Sequence, residues 1–162
     1  MGRIVGLDVG ARRIGVAISD VTGTLARPVD VLAVASPGAP AVTAVAERLA
    51  AFAAEEDGVE GIVVGLPRRL DGSPNDMTAR VEAFANALRS RTGRPVALQD
   101  ERLTSVEAER LLAVRQKDWR VRKARLDAAA AAVILQDYLD ARRPAEAERG
   151  IGDADADSQD EG

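Results

Sequence analysis

Cysteine and histidine are both absent from this chain. Without cysteine there is no disulfide, no thiolate zinc site and no thiol nucleophile. Without histidine there is no imidazole base and no Ser–His–Asp triad. Any chemistry must come from carboxylates, hydroxyls, Lys, Arg or a bound metal. Aromatic residues are scarce: Phe52, Phe84, Trp119 and Tyr138 are all there are, so the core has to be built from Val, Leu, Ile and Ala. The longest purely apolar run, Ala128–Leu135, is far short of the roughly 20 residues needed to span a bilayer. The first residues lack a signal-peptide pattern, and Gly6 stands where a myristoylation motif wants Ser or Thr. These absences point to the cytoplasm and away from any membrane. What remains is 162 residues, 46% hydrophobic and 30% charged, which suits one globular domain with a core of its own and no need of a staple.

The net charge of −4 hides an uneven distribution. Residues 144–162 hold seven acids and one base, leaving 19 acids against 21 bases in residues 1–143. The chain is therefore read as a mildly basic domain over 1–143 and an acidic tail over 144–162, whose composition buries almost nothing and is expected to be disordered. The richest basic stretch is Arg110–Arg125, with seven bases and Asp118 as its single acid. It reads as a phosphate-binding segment or, equally simply, as a solvated loop. Arg115, Lys117, Arg120 and Arg122 are its candidate phosphate contacts. Trp119 is either a stacking platform for an unpaired base or an anchor in the core.

The pattern of apolar residues predicts βββ-α-β-α-β-α-α. Ile4–Asp8 is an apolar run ending in an acid, and Arg13–Ser19 alternates Ile14, Val16 and Ile18 with small residues. Pro28–Ala33 is bounded by Pro28 and by the Ser36-Pro37-Gly38 break. Three strands in succession predict an antiparallel meander. Ala41–Glu56 then carries Val42, Val45, Leu49 and Phe52 at helical spacing, and Gly61–Leu66 is apolar throughout, as in a strand covered on both faces. Pro67–Asn75 is a polar loop. Asp76–Thr92 is helical, Pro95–Gln99 a fifth strand, and Leu103–Val114 a helix with Thr104 and Glu107 as a capping box. A last helix covers Leu126–Arg142. The expected fold is α/β: a mixed five-stranded sheet with helices on both faces.

Three acids stand where such a fold gathers chemistry. Asp8 ends the first strand beside Gly6 and Gly10, where a carboxylate meets a metal, a phosphate or simply its own turn. Asp100-Glu101-Arg102 follows the fifth strand, and because strand neighbours face opposite ways only one of the two acids can share the Asp8 site; the alternative is that both cap the Leu103–Val114 helix. Asp127 opens a helix with five consecutive alanines, Ala128–Ala132, whose small side chains would let it lie close to a sheet and bring Asp127 near the strand ends; taken alone it reads as a simple helix N-terminal acid. Clustered carboxylates repel unless a hard cation sits between them. Mg²⁺ and Mn²⁺ take oxygen ligands, and a pair of them about 3.5–4 Å apart supports in-line phosphodiester hydrolysis without a protein base.

In order along the chain come GLDVGARRIGVAISD (Gly6–Asp20), Val64-Gly65-Leu66-Pro67, Asp100–Thr104 (DERLT) with Glu107-Ala108, and LDAAAAAVILQDYLD beginning at Leu126. Together they resemble the YqgF family of RuvC-like resolvase homologues with the ribonuclease H-like fold, also described as nucleases of the 16S rRNA precursor. The match spans nearly all of residues 3–142. It implies catalytic, metal-binding acids at Asp8, Glu101 and Asp127, so choosing Glu101 over Asp100. It also matches Gly10, Arg13, Asp20, Pro67, Arg102 and Thr104, with Arg13, Arg102 and Thr104 implied at the substrate. The implied activity is Mg²⁺- or Mn²⁺-dependent hydrolysis of nucleic acid, by a monomer or weak homodimer. Processing of the 5′ end of precursor 16S rRNA is favoured, with cleavage of branched or single-stranded DNA, or non-catalytic binding, as alternatives. The loop after Pro67 (Arg-Arg-Leu-Asp-Gly-Ser-Pro-Asn-Asp) departs from relatives, which usually carry a Gly and an acid after the Gly-Ser or Gly-Thr pair. Asp8-Val9-Gly10 with Ile14-Gly15-Val16 also fits a phosphate loop of the actin and sugar-kinase class, but that class needs a second such loop and a second domain.

Overall fold

The computed structural model describes residues 2–69, 71–100 and 128–142. β1 (Arg3–Val9), β2 (Arg13–Ser19) and β3 (Ala26–Ala33) form the meander; α1 (Ala39–Ala53), β4 (Val59–Leu66), α2 (Thr78–Thr92) and β5 (Val96–Asp100) follow, and residues 128–142 are helical. The sheet order is β3-β2-β1-β4-β5. β1 pairs antiparallel with β2 and parallel with β4, β2 antiparallel with β3, and β4 parallel with β5. The mixed sheet read from the sequence is therefore present, with β1 at its centre. The Leu103–Val114 helix, the basic stretch and the acidic tail lie outside the described residues.

Period-two alternation sorts β1 into two faces. Val5, Leu7 and Val9 join Ile14, Val16 and Ile18 of β2 in a core closed by Val45, Leu49 and Phe52 of α1 and Val81, Phe84 and Leu88 of α2. Ile4 of β1, Ala17 of β2 and Val63 of β4 face the other way, packing on Ala131, Ile134, Leu135 and Leu139. Helices thus cover both faces. The alanine run fits its face closely: a Cβ built on Gly6 would lie 2.7 Å from Leu135 Cβ and 3.1 Å from the Ala131 carbonyl oxygen. Only a residue without a side chain lets this helix approach β1 at that distance.

The boundaries differ from the sequence pattern where hydrogen bonding overrides it. Pro28 is no boundary: β3 begins at Ala26 and Pro28 lies inside it. β3 is an edge strand, and its register on β2 shifts between Val16 and Ala17, so a residue without an N–H fits at that irregularity. α2 begins at Thr78 rather than Asp76, because Asn75 Oδ1 accepts from the Met77 and Thr78 amides and spends those residues on a turn. α1 stops at Ala53, where the chain turns through Glu55 to Gly58, whose φ is +63°. Arg3, buried at the start of β1, fastens that turn, donating to the Phe52 and Gly58 carbonyls and to Glu55.

Candidate active site

Asp8 sits near the carboxyl end of the central strand, half-buried, on the face of the 128–142 helix. Across the antiparallel pair its partner is Gly15. One step beyond the Leu7–Val64 pair on the other side lies Gly65. Both lateral neighbours of Asp8 on its own face therefore lack side chains, and the carboxylate stands on bare sheet. Arg13 is on the same face as Gly15 and Ala17, two residues before Gly15, which makes it the diagonal cross-strand neighbour of Asp8. The hairpin between them is tight: Gly10 N donates to Arg13 O at 2.8 Å, and a Cβ on Gly10 would meet that same oxygen at 3.0 Å.

The last helix is oriented with respect to this site. Residues 131 and 135 lie over Gly6. Gln136 accepts from Ala26 N and donates to Thr24 O, both at 2.9 Å, at the edge of the sheet where β1 begins. The helix therefore runs from the Asp8 edge towards the opposite one. Ala128 precedes residue 131 by about 4.5 Å of helix, and Asp8 follows Gly6 by about 6.6 Å of strand, in the same direction.

β5 reaches the same edge, pairing Gln99 with Gly65 and Asp100 with Leu66. Val96 belongs to the core under α1 and α2, so alternation places Asp100 on that face and Gln99 on the face of Asp8. Asp100 and Asp8 thus end parallel strands but face opposite ways. Among the described residues no group of three or more acids comes together. Of the three acids the resemblance implied, Asp8 alone is described. Glu101 and Asp127, and with them Arg102, Thr104, Arg115, Lys117, Trp119, Arg120 and Arg122, lie outside the described residues.

Asp20 is at the far edge, beyond the end of β2. Its Oδ1 accepts from the Thr24 and Leu25 amides at 2.8 and 3.0 Å, and Oδ2 accepts from Thr22 Oγ1. Those donors, the Thr22 hydroxyl foremost, lower its pKa from 3.8 to about 2. Its place is in a turn, away from Asp8. The loop after Pro67, whose internal order the sequence did not reveal, is built from its own polar groups. Arg69 N donates to Ser73 O and Gly72 N to Arg69 O, both at 2.8 Å, and Asp71 Oδ1 accepts from Ser73 N and Oγ. Thr78 Oγ1 ties the loop back to Pro67 O at 2.6 Å. The Asp71-Gly72-Ser73 turn signal could have shown this order.

A five-stranded mixed sheet in this order, with a carboxylate at the end of its central strand and a helix laid across that face, defines the ribonuclease H-like class. Within that class the chain belongs to the RuvX (YqgF) family, whose model, described as Holliday junction resolvase, matches residues 2–141. The family is one of nucleases, hydrolases of phosphodiester bonds. A protein of Chloroflexus aggregans named "Putative pre-16S rRNA nuclease" is 45% identical over 141 residues, 86% of this chain and 94% of its own. One of the same name from Pelotomaculum thermopropionicum is 41% identical over 140 residues, 86% of this chain and 88% of its own. Among solved structures, Thermus thermophilus RuvC in complex with a Holliday junction substrate is similar, with 17% identity and a TM-score of 0.49 over 88% of this chain and 96% of that one. No helix among the described residues is long and apolar enough to cross a membrane.

Proposed function

We propose that this chain is a divalent-metal-dependent nuclease that processes the 5′ end of precursor 16S rRNA. The observation that carries the reading is Asp8, presented at a sheet edge between Gly15 and Gly65, on the face whose covering helix has its N-terminal end towards that edge. Two further acids complete the site in this reading. Asp100 faces away from Asp8, which supports the choice of Glu101 over Asp100. Asp127 directly precedes Ala128, the first described residue of that helix, in the sequence, which supports its assignment to the site.

The donor set suits a hard cation: one half-buried carboxylate in place, one acid following β5 and one preceding the last helix in the sequence, and no thiol or imidazole anywhere. Asp8, Glu101 and Asp127 would hold Mg²⁺ or Mn²⁺. Bound there, the metal would lower the pKa of a water and neutralise charge on the scissile phosphate. The chain's own residues supply position. Gly15 and Gly65 leave room for a backbone to approach Asp8, and Arg13 offers a planar, permanently charged donor set on the same face. Arg102, Thr104, Arg115, Lys117, Arg120 and Arg122 are proposed as further substrate contacts, with Trp119 stacking on a base. A cytoplasmic monomer or weak homodimer goes with this reading.

The experiment is cleavage of precursor rRNA, linear DNA and a four-way DNA junction by wild type and Asp8→Asn, with Mn²⁺, Mg²⁺ or EDTA. Metal-dependent cleavage of the RNA, lost in the variant, is expected. Preference for the junction would move the reading to a resolvase. Binding without cleavage of any substrate would make the chain a non-catalytic module.

A further inference from the structure

The edge that carries Asp8 also carries two arginines that no other group among the described residues engages. Arg12 is exposed at the tip of the β1–β2 hairpin, and Arg68 is exposed just beyond the end of β4. These are the two strands' ends that flank Asp8. Among the described residues neither guanidinium makes a hydrogen bond or ion pair, in contrast to Arg3, Arg48, Arg69, Arg89 and Arg91, whose donors are spent inside the fold. We propose that Arg12 and Arg68 grip substrate phosphates on opposite sides of the Asp8 site, so that the polynucleotide crosses the sheet edge from the β1–β2 hairpin to the β4–α2 loop. The proposal rests on the nuclease reading and names the two contacts that set the strand's path.

Backbone order is the first argument. Arg12 O accepts from Val34 N at 2.9 Å, and the Gly10–Arg13 hydrogen bond closes the turn beneath it. Arg68 is bridged to Pro74, and its neighbour Arg69 donates through Nε to Pro74 O at 3.0 Å. Both side chains therefore extend from fixed backbone, and a phosphate they meet is not asked to order a loop as well. Reach is the second. Arg68 is three residues past Gly65, at most about 11 Å of chain, and Gly65 is one strand spacing from Asp8, about 4.8 Å. Charge distribution is the third. The opposite edge, where β1 and β4 begin, exposes Asp20, Glu55, Glu56, Asp57 and Glu60 against Arg27 and Arg94, an excess of acid that turns a polyanion away from that end. Of the two acids in the Arg68 loop, Asp71 is turned onto the Ser73 amide and hydroxyl, while Asp76 lies at the approach to α2.

The test measures affinity of the full chain for a single-stranded RNA of about 20 nucleotides in EDTA, across a salt series. Each phosphate contact contributes about 0.7 to the slope of log K against log salt. Arg12→Gln with Arg68→Gln should lower the slope by about 1.4 and weaken binding about 25-fold near 0.1 M salt, with the melting temperature unchanged. Arg27→Gln with Arg94→Gln removes the same charge from the opposite edge and should change neither. Equal losses in the two double variants, or an unchanged slope in the first, overturn the proposal. The nuclease reading would then stand or fall separately on Asp8→Asn cleavage. Wild type that does not bind the RNA overturns both.

Discussion

At the scale of single residues, two aspartates of one motif have opposite occupations. Asp8 lies on bare sheet between glycines, and its loss removes a proposed metal ligand outright. Removing a partner in the outer shell of a metal site already costs 10- to 100-fold, so Asp8→Asn should lower the cleavage rate by at least about 100-fold without lowering the melting temperature. Asp20, at the other edge, holds a turn. Its folded pKa of about 2 lies below the ordinary 3.8, so its carboxylate stabilises the fold above the ordinary value. That contribution fades as pH falls through about 2. Asp20→Ala should therefore melt below wild type at pH 7, and the gap should close in a melting series taken down past pH 2. A gap that is constant with pH would mean that the Asp20 charge has no part in the turn.

At the scale of elements, the fit of the 128–142 helix onto β1 hangs on Gly6. A methyl group there would stand 2.7 Å from Leu135 Cβ, which cannot swing aside as the tip of a long side chain could. Gly6→Ala should cost about 1–3 kcal/mol by overpacking and push the helix off the sheet, lowering activity as well as stability. Gly61→Ala is the control, since a Cβ there would meet nothing nearer than Pro95 O at 3.9 Å. Denaturant unfolding of the two variants checks the contrast. The elements themselves were legible in the sequence wherever a local period decided them: Arg13–Ser19 alternates cleanly, and the run Gly61–Leu66 has the composition of a strand covered twice. Pro28 misled because its meaning depends on edge position and a register shift, neither of which is local. Asp8 was legible as a strand-end acid. Gly15 and Gly65 as its neighbours were not, because register across strands is set by the whole sheet and not by any one segment. Asp20 stood in the same matched stretch as Asp8, and nothing in the linear motif separates the two edges to which β2 carries them.

At the scale of the whole molecule, charge is unevenly distributed along the chain. Removing residues 144–162 takes away seven acids and one base and turns a net −4 into +2. That truncation should leave the melting temperature unchanged and tighten binding to RNA, as a titration against the full chain at matched salt will show; a truncated protein that unfolds would overturn the division at residue 143. The order in which the sheet acquires its two coverings has a consequence for when the enzyme exists at all. By Asp100 the ribosome has made all five strands of the described sheet, α1 and α2, enough to close one core. The other face, with Ile4, Gly6, Ala17 and Val63, waits for residues 131–139. Chains fold from the N-terminus as they emerge, at about 5–20 residues per second, so the half that bears Asp8 forms first and stays uncapped for the last stretch of synthesis. A nuclease of this family is thereby incomplete until the helix over 128–142 has left the ribosome that makes it.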